Sequence, residues 1–355
     1  MLEPGRVLAV SPEPSRAPES IAGAPESGGP ESPDPTPRPG RRAWRTLLRL
    51  AVVGLLIAGV SYAAAGQWPQ VSPLLRELSW QALGLAAGSV FAGILATALA
   101  WRAIMADLGH PLPGPAMMRV FFVSQLAKYL PGKLWPVMAQ MRLGRAYQIP
   151  LSASGAGAFV FLLIVLGSGL AVAVTVLPLL GSKVVQAYAW APLALLAVVV
   201  IGSPPVLNRL LGLALRLVRG QRLPRPMSAR GIAAAMGWSG LAWIAYGVQI
   251  WALARDLGAE NSLWLYAVAT GGFAAAFCVG VLLPLAPAGA GAREVAMVLL
   301  LGVALPQAQV IVVAVISRLL FTVLDAVWAG IGVLAVRFAG VRAAPPTPSS
   351  KGKAG

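Results

Sequence analysis

Four charged residues fall inside stretches otherwise built from apolar side chains: Arg293 and Glu294 in PAGAGAREVAMVLLLG, and Arg318 and Asp325 in AVISRLLFTVLDAVWAG. A charge at the centre of a bilayer costs about 2.5–3.5 kcal/mol on insertion scales, so it must face a partner or water. Arg318 and Asp325 are seven residues apart, two helical turns, which puts them on one face. Adjacent Arg293 and Glu294 diverge by about 100° and cannot point the same way. The chemistry open to these types is ionic recognition, with guanidinium on phosphate and carboxylate on a cationic or hydroxylated headgroup. They can also pair across helices, Glu294 with Arg318 for example, and so fix how helices pack. The two readings are compatible.

Two apolar segments are broken by helix-disrupting residues, and charge sits at each break. In the first, running from Arg119 to Arg142, the residues Lys128, Pro131, Gly132, Lys133 and Pro136 interrupt an apolar run. Pro131 removes a backbone donor and clashes with the preceding turn, and Gly132 weakens the helix further. In the second, Pro284, Pro287, Gly289 and Gly291 precede Arg293 and Glu294, and a new apolar run follows. A helix that opens after such a break leaves unpaired N–H groups and a positive dipole end suited to an anion. Both segments share an order: apolar run, Leu-Pro step (Leu130-Pro131, Leu283-Pro284), small residues, charge, apolar run. Irregular backbone at membrane depth is tolerated only where it is buried in protein or borders a wet cavity. Paired interruptions in two halves of a chain point to a substrate site. Lys128 and Lys133 either line that site or snorkel to the cytoplasmic interface. Tyr129 and Trp135 are either site residues or interfacial anchors.

The elements that must position these residues are membrane spans. The chain is 57% hydrophobic and 11% charged, against roughly 25% charged in soluble domains. Runs of about 20 apolar residues fall at 46–66, 80–103, 154–180, 186–203, 231–254, 262–283 and 308–338, with the broken segments near 117–140 and 287–304. Six of the twelve acids (Glu3, Glu13, Glu19, Glu26, Glu31 and Asp34) lie in residues 1–40, a Pro/Glu/Ser-rich stretch too poor in large apolar side chains to order itself. We read 1–40 as a disordered cytoplasmic tail, 45–340 as the transmembrane domain and 341–355 as a basic disordered tail. Arg41, Arg42, Arg45 and Arg49 anchor the first span from the cytoplasm. The stretch 205–230 holds Arg209, Arg216, Arg219, Arg222, Arg225 and Arg230 and no acid, and is expected to be a cytoplasmic loop opening on an amphipathic helix at the headgroups. A cytoplasmic carboxyl end needs an even number of crossings, so the expectation is an all-α polytopic protein of about eight transmembrane helices with two broken, re-entrant or discontinuous, segments.

At QLAKYLPGKLW and PAGAGAREV the sequence resembles the flippase-like family typified by the transmembrane region of lysylphosphatidylglycerol synthases. Lys128, Tyr129, Pro131, Gly132 and Trp135 match one recurring stretch, and Pro287, Gly289, Gly291, Arg293 and Glu294 the other; the late span with Arg318 and Asp325 is also similar. The resemblance covers residues ~45–340 and implies movement of an anionic phospholipid or lipid-linked sugar between leaflets of a bacterial inner membrane. Family members that aminoacylate lipids carry a cytosolic synthase domain. Only a short basic tail follows residue 340 here, so lysyl transfer is not expected of this chain.

Other function classes have less in the sequence. No Ser/His/Asp set, phosphate-cradling loop or metal-ligand spacing is present, and a lone Cys278 and a lone His110 exclude a Cys/His zinc site. No catalytic residue, cofactor or metal is therefore expected. The net charge of +16 collects at span ends and not on a soluble basic module, which argues against nucleic acid. Two alternatives stay open. One is a membrane transferase acting on polyprenyl-phosphate-linked sugars, with Glu294 or Asp325 as base and Asp107 as a further exposed acid. The other is a scaffold that recruits a soluble synthase or glycosyltransferase through 205–230.

Overall fold

The computed structural model describes residues 68–130, 134–176, 191–217, 225–282 and 291–340. The first expected span, 46–66, and both tails lie outside the described residues. Every regular element among the described residues is helical. A short α1 (Trp68–Glu77) leads into α2 (Trp80–Asp107), α3 (Gly114–Gln125) with a tighter turn over Leu126–Tyr129, α4 (Trp135–Arg145) and α5 (Leu151–Val176). After α5 come α6 (Ala191–Gly202), α7 (Pro204–Leu217), α8 (Ala229–Asp256), α9 (Leu263–Leu282), α10 (Ala292–Leu301) and α11 (Gln307–Phe338).

Five of these helices, α2, α5, α8, α9 and α11, are long and apolar enough to cross a membrane. The pair α6 and α7 adds a sixth candidate, bent by 71° at its break. The described parts of the expected runs at 80–103, 154–180, 186–203, 231–254, 262–283 and 308–338 thus all reappear as helix; the described residues do not reach the expected eight.

The halves of the molecule are built alike and run in opposite senses. Each contains a 28-residue opening helix, α2 or α8, then a broken segment, α3 with α4 or α9 with α10, then a closing helix, α5 or α11. The opening helices lie antiparallel and clasp each other at both ends. Ser79, the N-cap of α2, donates its N–H to Asp256 Oδ2 at 2.6 Å and its hydroxyl to Oδ1 at 2.7 Å. Ser228, the N-cap of α8, does the same to Asp107, at 2.6 and 2.7 Å. Each serine oxygen also accepts the N–H of a first-turn residue, Ala82 or Gly231, so one side chain caps its own helix and ties it to its partner's end. Between the clasps the Thr97 and Tyr246 hydroxyls meet at 2.9 Å.

The closing helices seat against the opposite half's broken segment. Gly332 of α11 lies so close to α3 that a Cβ would stand 2.8 Å from the Met118 carbonyl oxygen. The Trp328 ring stacks on Phe91 and Phe122 at centroid distances of 4.2 and 4.7 Å, and its N–H donates to the Phe91 carbonyl at 3.1 Å. In the other half, α5 packs on α8, where Trp243 donates to the Ser168 hydroxyl at 2.9 Å and Ser168 shares a 2.7 Å hydrogen bond with Ser239.

Candidate functional site

The inverted frame brings both chain breaks to α11. At the end of α3 the tight turn over Leu126–Tyr129 projects Lys128 and Tyr129 towards this helix. Lys128 Nζ lies 2.6 Å from Asp325 Oδ2, and the Tyr129 hydroxyl donates to the same oxygen at 2.7 Å. Asp325 is only 4% exposed. A buried acid needs hydrogen-bond partners, and these two donors supply them. Lys128, itself 30% exposed, is thus paired with a carboxylate of α11.

Two turns earlier on the same face, Arg318 pairs with Glu294 from the start of α10. Glu294 also accepts the Gly291 N–H at 2.6 Å. Gly291 takes a φ of 84°, a left-handed conformation that an L side chain rarely adopts. That turn aims the first α10 residues at α11, and the fixed Glu294 holds the Arg318 guanidinium in place. The pair anticipated between Glu294 and Arg318 is thus present.

Arg293 takes a different direction, as adjacent helical residues must. Its guanidinium stands over Phe273, Phe321 and Phe277 at 4.5, 5.1 and 5.8 Å from the ring centroids. It donates to the Ser317 hydroxyl at 3.4 Å. Among the described residues no carboxylate pairs with Arg293, so the aromatic faces and one hydroxyl hold this cation. Phe321 also packs against Tyr246 at 5.0 Å and Phe273 at 5.8 Å, which ties the cage to the α2–α8 contact. Among the described residues the site thus holds two ion pairs and one cation without an acidic partner. That arrangement has capacity for an anionic group.

Lys128, Tyr129, Gly291, Arg293, Glu294, Arg318 and Asp325 accordingly converge on one face of α11 and the helix ends beside it. Trp135 opens α4 and is half-buried. Pro131, Gly132, Lys133, Pro284, Pro287 and Gly289 lie outside the described residues. Asp107, an exposed acid on the sequence reading, is half-buried and engaged with Ser228. Reasoning from charge alone missed Phe273, Phe277, Phe321, Ser317 and Tyr246. Their signal is spacing: Ser317 and Phe321 are four apart on one helix, as are Phe273 and Phe277 on another, so each pair shares a face.

The two halves are not equivalent at this position. Counted from the start of its segment, Tyr129 in the first half corresponds to Cys278 in the second, both fifteen residues on from Gly114 and Leu263. By the same count along the closing helices, Asp325 corresponds to Gly169 and Arg318 to Leu162. The contacts keep this register. Tyr129 meets Asp325, and a Cβ on Gly169 would lie 2.9 Å from Cys278 Sγ. The frame is duplicated, whereas the charged lining belongs to α11.

Among known protein families, the one described as Lysylphosphatidylglycerol synthase TM region matches residues 46–329, which takes in both broken segments, Arg318 and Asp325. No curated protein matches the chain.

Proposed function

The chain belongs to the family of the lysylphosphatidylglycerol synthase TM region, and from that premise we propose that it translocates a lipid or lipid-linked headgroup between leaflets of a bacterial inner membrane. The headgroup would follow the charged face of α11 while the acyl or prenyl chains stay in the bilayer. One observation carries this reading: two chain breaks from opposite halves converge on that face, with Lys128 and Tyr129 at Asp325 and Glu294 at Arg318.

On this reading the broken segments are re-entrant hairpins entering from opposite sides. In support, α10 runs back along α9: Arg293 stands by Phe277, while the far end of α10, at Leu301, packs on Gly272. With α9 taken as a hairpin arm, the crossings become α2, α5, α8 and α11 together with the runs expected from the sequence at 46–66 and 186–203. That count is even and returns the carboxyl end to the side of the amino terminus. It also places Arg142, Arg145, Arg209, Arg216, Arg225, Arg230 and Arg337 on one side with Asp107, and only Arg76 and Arg255 on the other with Glu77, Asp256 and Glu260. The positive-inside rule makes the arginine side cytoplasmic. The sites at Arg318 and Asp325 then lie about 10 Å apart along α11, on the outer and inner sides of the midplane.

The test is lipid transfer by the full chain in liposomes, with a fluorescent phospholipid and a fluorescent lipid-linked sugar measured separately. Wild type is expected to speed exchange of one of them above protein-free vesicles, and Arg293→Ala to bring it back to that background. Wild type at background with both lipids would overturn the proposal.

A further inference from the structure

The helix α7 divides into three faces. Leu207 and Leu211 are buried against the bundle, with Leu215 beside them. Arg209 and Arg216, seven residues apart and so on one face, are exposed on the opposite side. Leu213, 55% exposed, occupies an apolar flank between the two. The axis turns 71° away from α6, whose 12 residues are too few to cross a membrane alone. A helix at that angle with an open apolar flank beside a basic face is shaped for the boundary between acyl chains and headgroups.

The chain returning from α7 stays attached to it. Asn208 donates to the Met227 carbonyl at 2.9 Å and accepts the Met227 N–H at 2.8 Å. Met227 is buried, and the next residue is Ser228, which clasps Asp107 and caps α8. Arg225 and Arg230 flank this joint and are exposed. None of the four arginines pairs with a carboxylate among the described residues, where the ion pairs are Lys128 with Asp325 and Glu294 with Arg318. The stretch 205–230 contains no acid at all.

We propose that α7, with Arg209, Arg216, Arg225 and Arg230, is a docking surface for the anionic phospholipid headgroups of the adjacent leaflet, and that the Asn208–Met227 joint transmits this docking to the Ser228–Asp107 clasp. Four uncompensated arginines beside an open apolar flank complement an anionic lipid surface. Lipid charge is then coupled to the end of the α2–α8 pair, the axis on which both halves are mounted. The mechanism needs nothing from the charged face of α11 and stands apart from the transport reading.

Gly212 supplies a clean probe position, because nothing lies within 4 Å of a Cβ built there. The full chain carrying Gly212→Cys in a Cys278→Ala background, nitroxide-labelled, would be placed in vesicles of phosphatidylcholine with and without phosphatidylglycerol. Phosphatidylglycerol is expected to raise the ratio of oxygen to aqueous nickel-complex collisions about threefold, with high salt or Arg209→Gln/Arg216→Gln abolishing the rise. Amide exchange at Gly231 and Ile232 should slow about tenfold in the same vesicles. In Asn208→Ala the label should still respond while the exchange does not. Equal collision ratios in the two vesicle types, or a rise that persists in the double glutamine variant, would overturn the docking surface. Unchanged exchange at Gly231 and Ile232 in wild type, or slowing that survives Asn208→Ala, would overturn the coupling.

Discussion

The Tyr129 hydroxyl and the Asp325 carboxylate are 196 residues apart in the chain and 2.7 Å apart in the fold. Lys128 reaches the same oxygen at 2.6 Å. This three-way contact closes the first broken segment onto the final helix.

Removal of the acceptor leaves both donors without it. Asp325→Ala should destabilise the protein by about 2–4 kcal/mol, towards the lower end for breaking a buried pair because Lys128 is 30% exposed. Tyr129→Phe removes one neutral donor and leaves the ion pair, so it should cost only about 1 kcal/mol. Thermal unfolding in detergent would compare them, and equal losses would contradict this ranking.

Arg293 depends on its shape as well as its charge. Its planar guanidinium lies over Phe273 and Phe321 and still reaches Ser317. A lysine cannot combine stacking with an edge-on donor. Arg293→Lys should lower lipid transfer about tenfold with little change in unfolding temperature, as read by the liposome assay beside a melting curve.

The two Ser–Asp clasps are equivalent and remote from each other, separated by the ~42 Å length of a 28-residue helix. Asp107→Asn and Asp256→Asn should each destabilise by about 1–2 kcal/mol, since each weakens charge-assisted bonds to an N-cap. The double variant should lose the sum to within about 0.5 kcal/mol. A marked departure from additivity would mean that the clasps communicate along the helix pair.

Gln249 on α8 is fully buried, and among the described residues neither its amide oxygen nor its nitrogen has a hydrogen-bond partner. An unsatisfied buried polar group costs about 1–3 kcal/mol. Gln249→Met, close in volume and free of that cost, should raise the unfolding temperature. A lower one would mean that the amide is satisfied by internal water.

The long helices were legible because hydropathy sums over about 20 residues, so each span declares itself without reference to any other. The charges at 293, 294, 318 and 325 were legible for the opposite reason, as isolated exceptions in apolar runs. What joins them was harder to read. Ser79 and Asp256 are 177 residues apart, and each alone resembles an ordinary helix cap or end. The trace in the sequence is a repeated interval, Ser79 to Asp107 and Ser228 to Asp256, of 28 residues each. The Arg293 cage was hidden because phenylalanine in a membrane helix looks like any lipid-facing residue until a cation is set against it.

Gly169 and Leu162 occupy in α5 the places that Asp325 and Arg318 occupy in α11. At the place that mirrors Asp325, Trp243 and Cys278 crowd Gly169, standing 2.8 and 2.9 Å from where a Cβ would lie. Architecture built twice has thus been furnished once. Under the proposed transport function, a chain so arranged offers one headgroup path, to which the uncharged α5 contributes only packing.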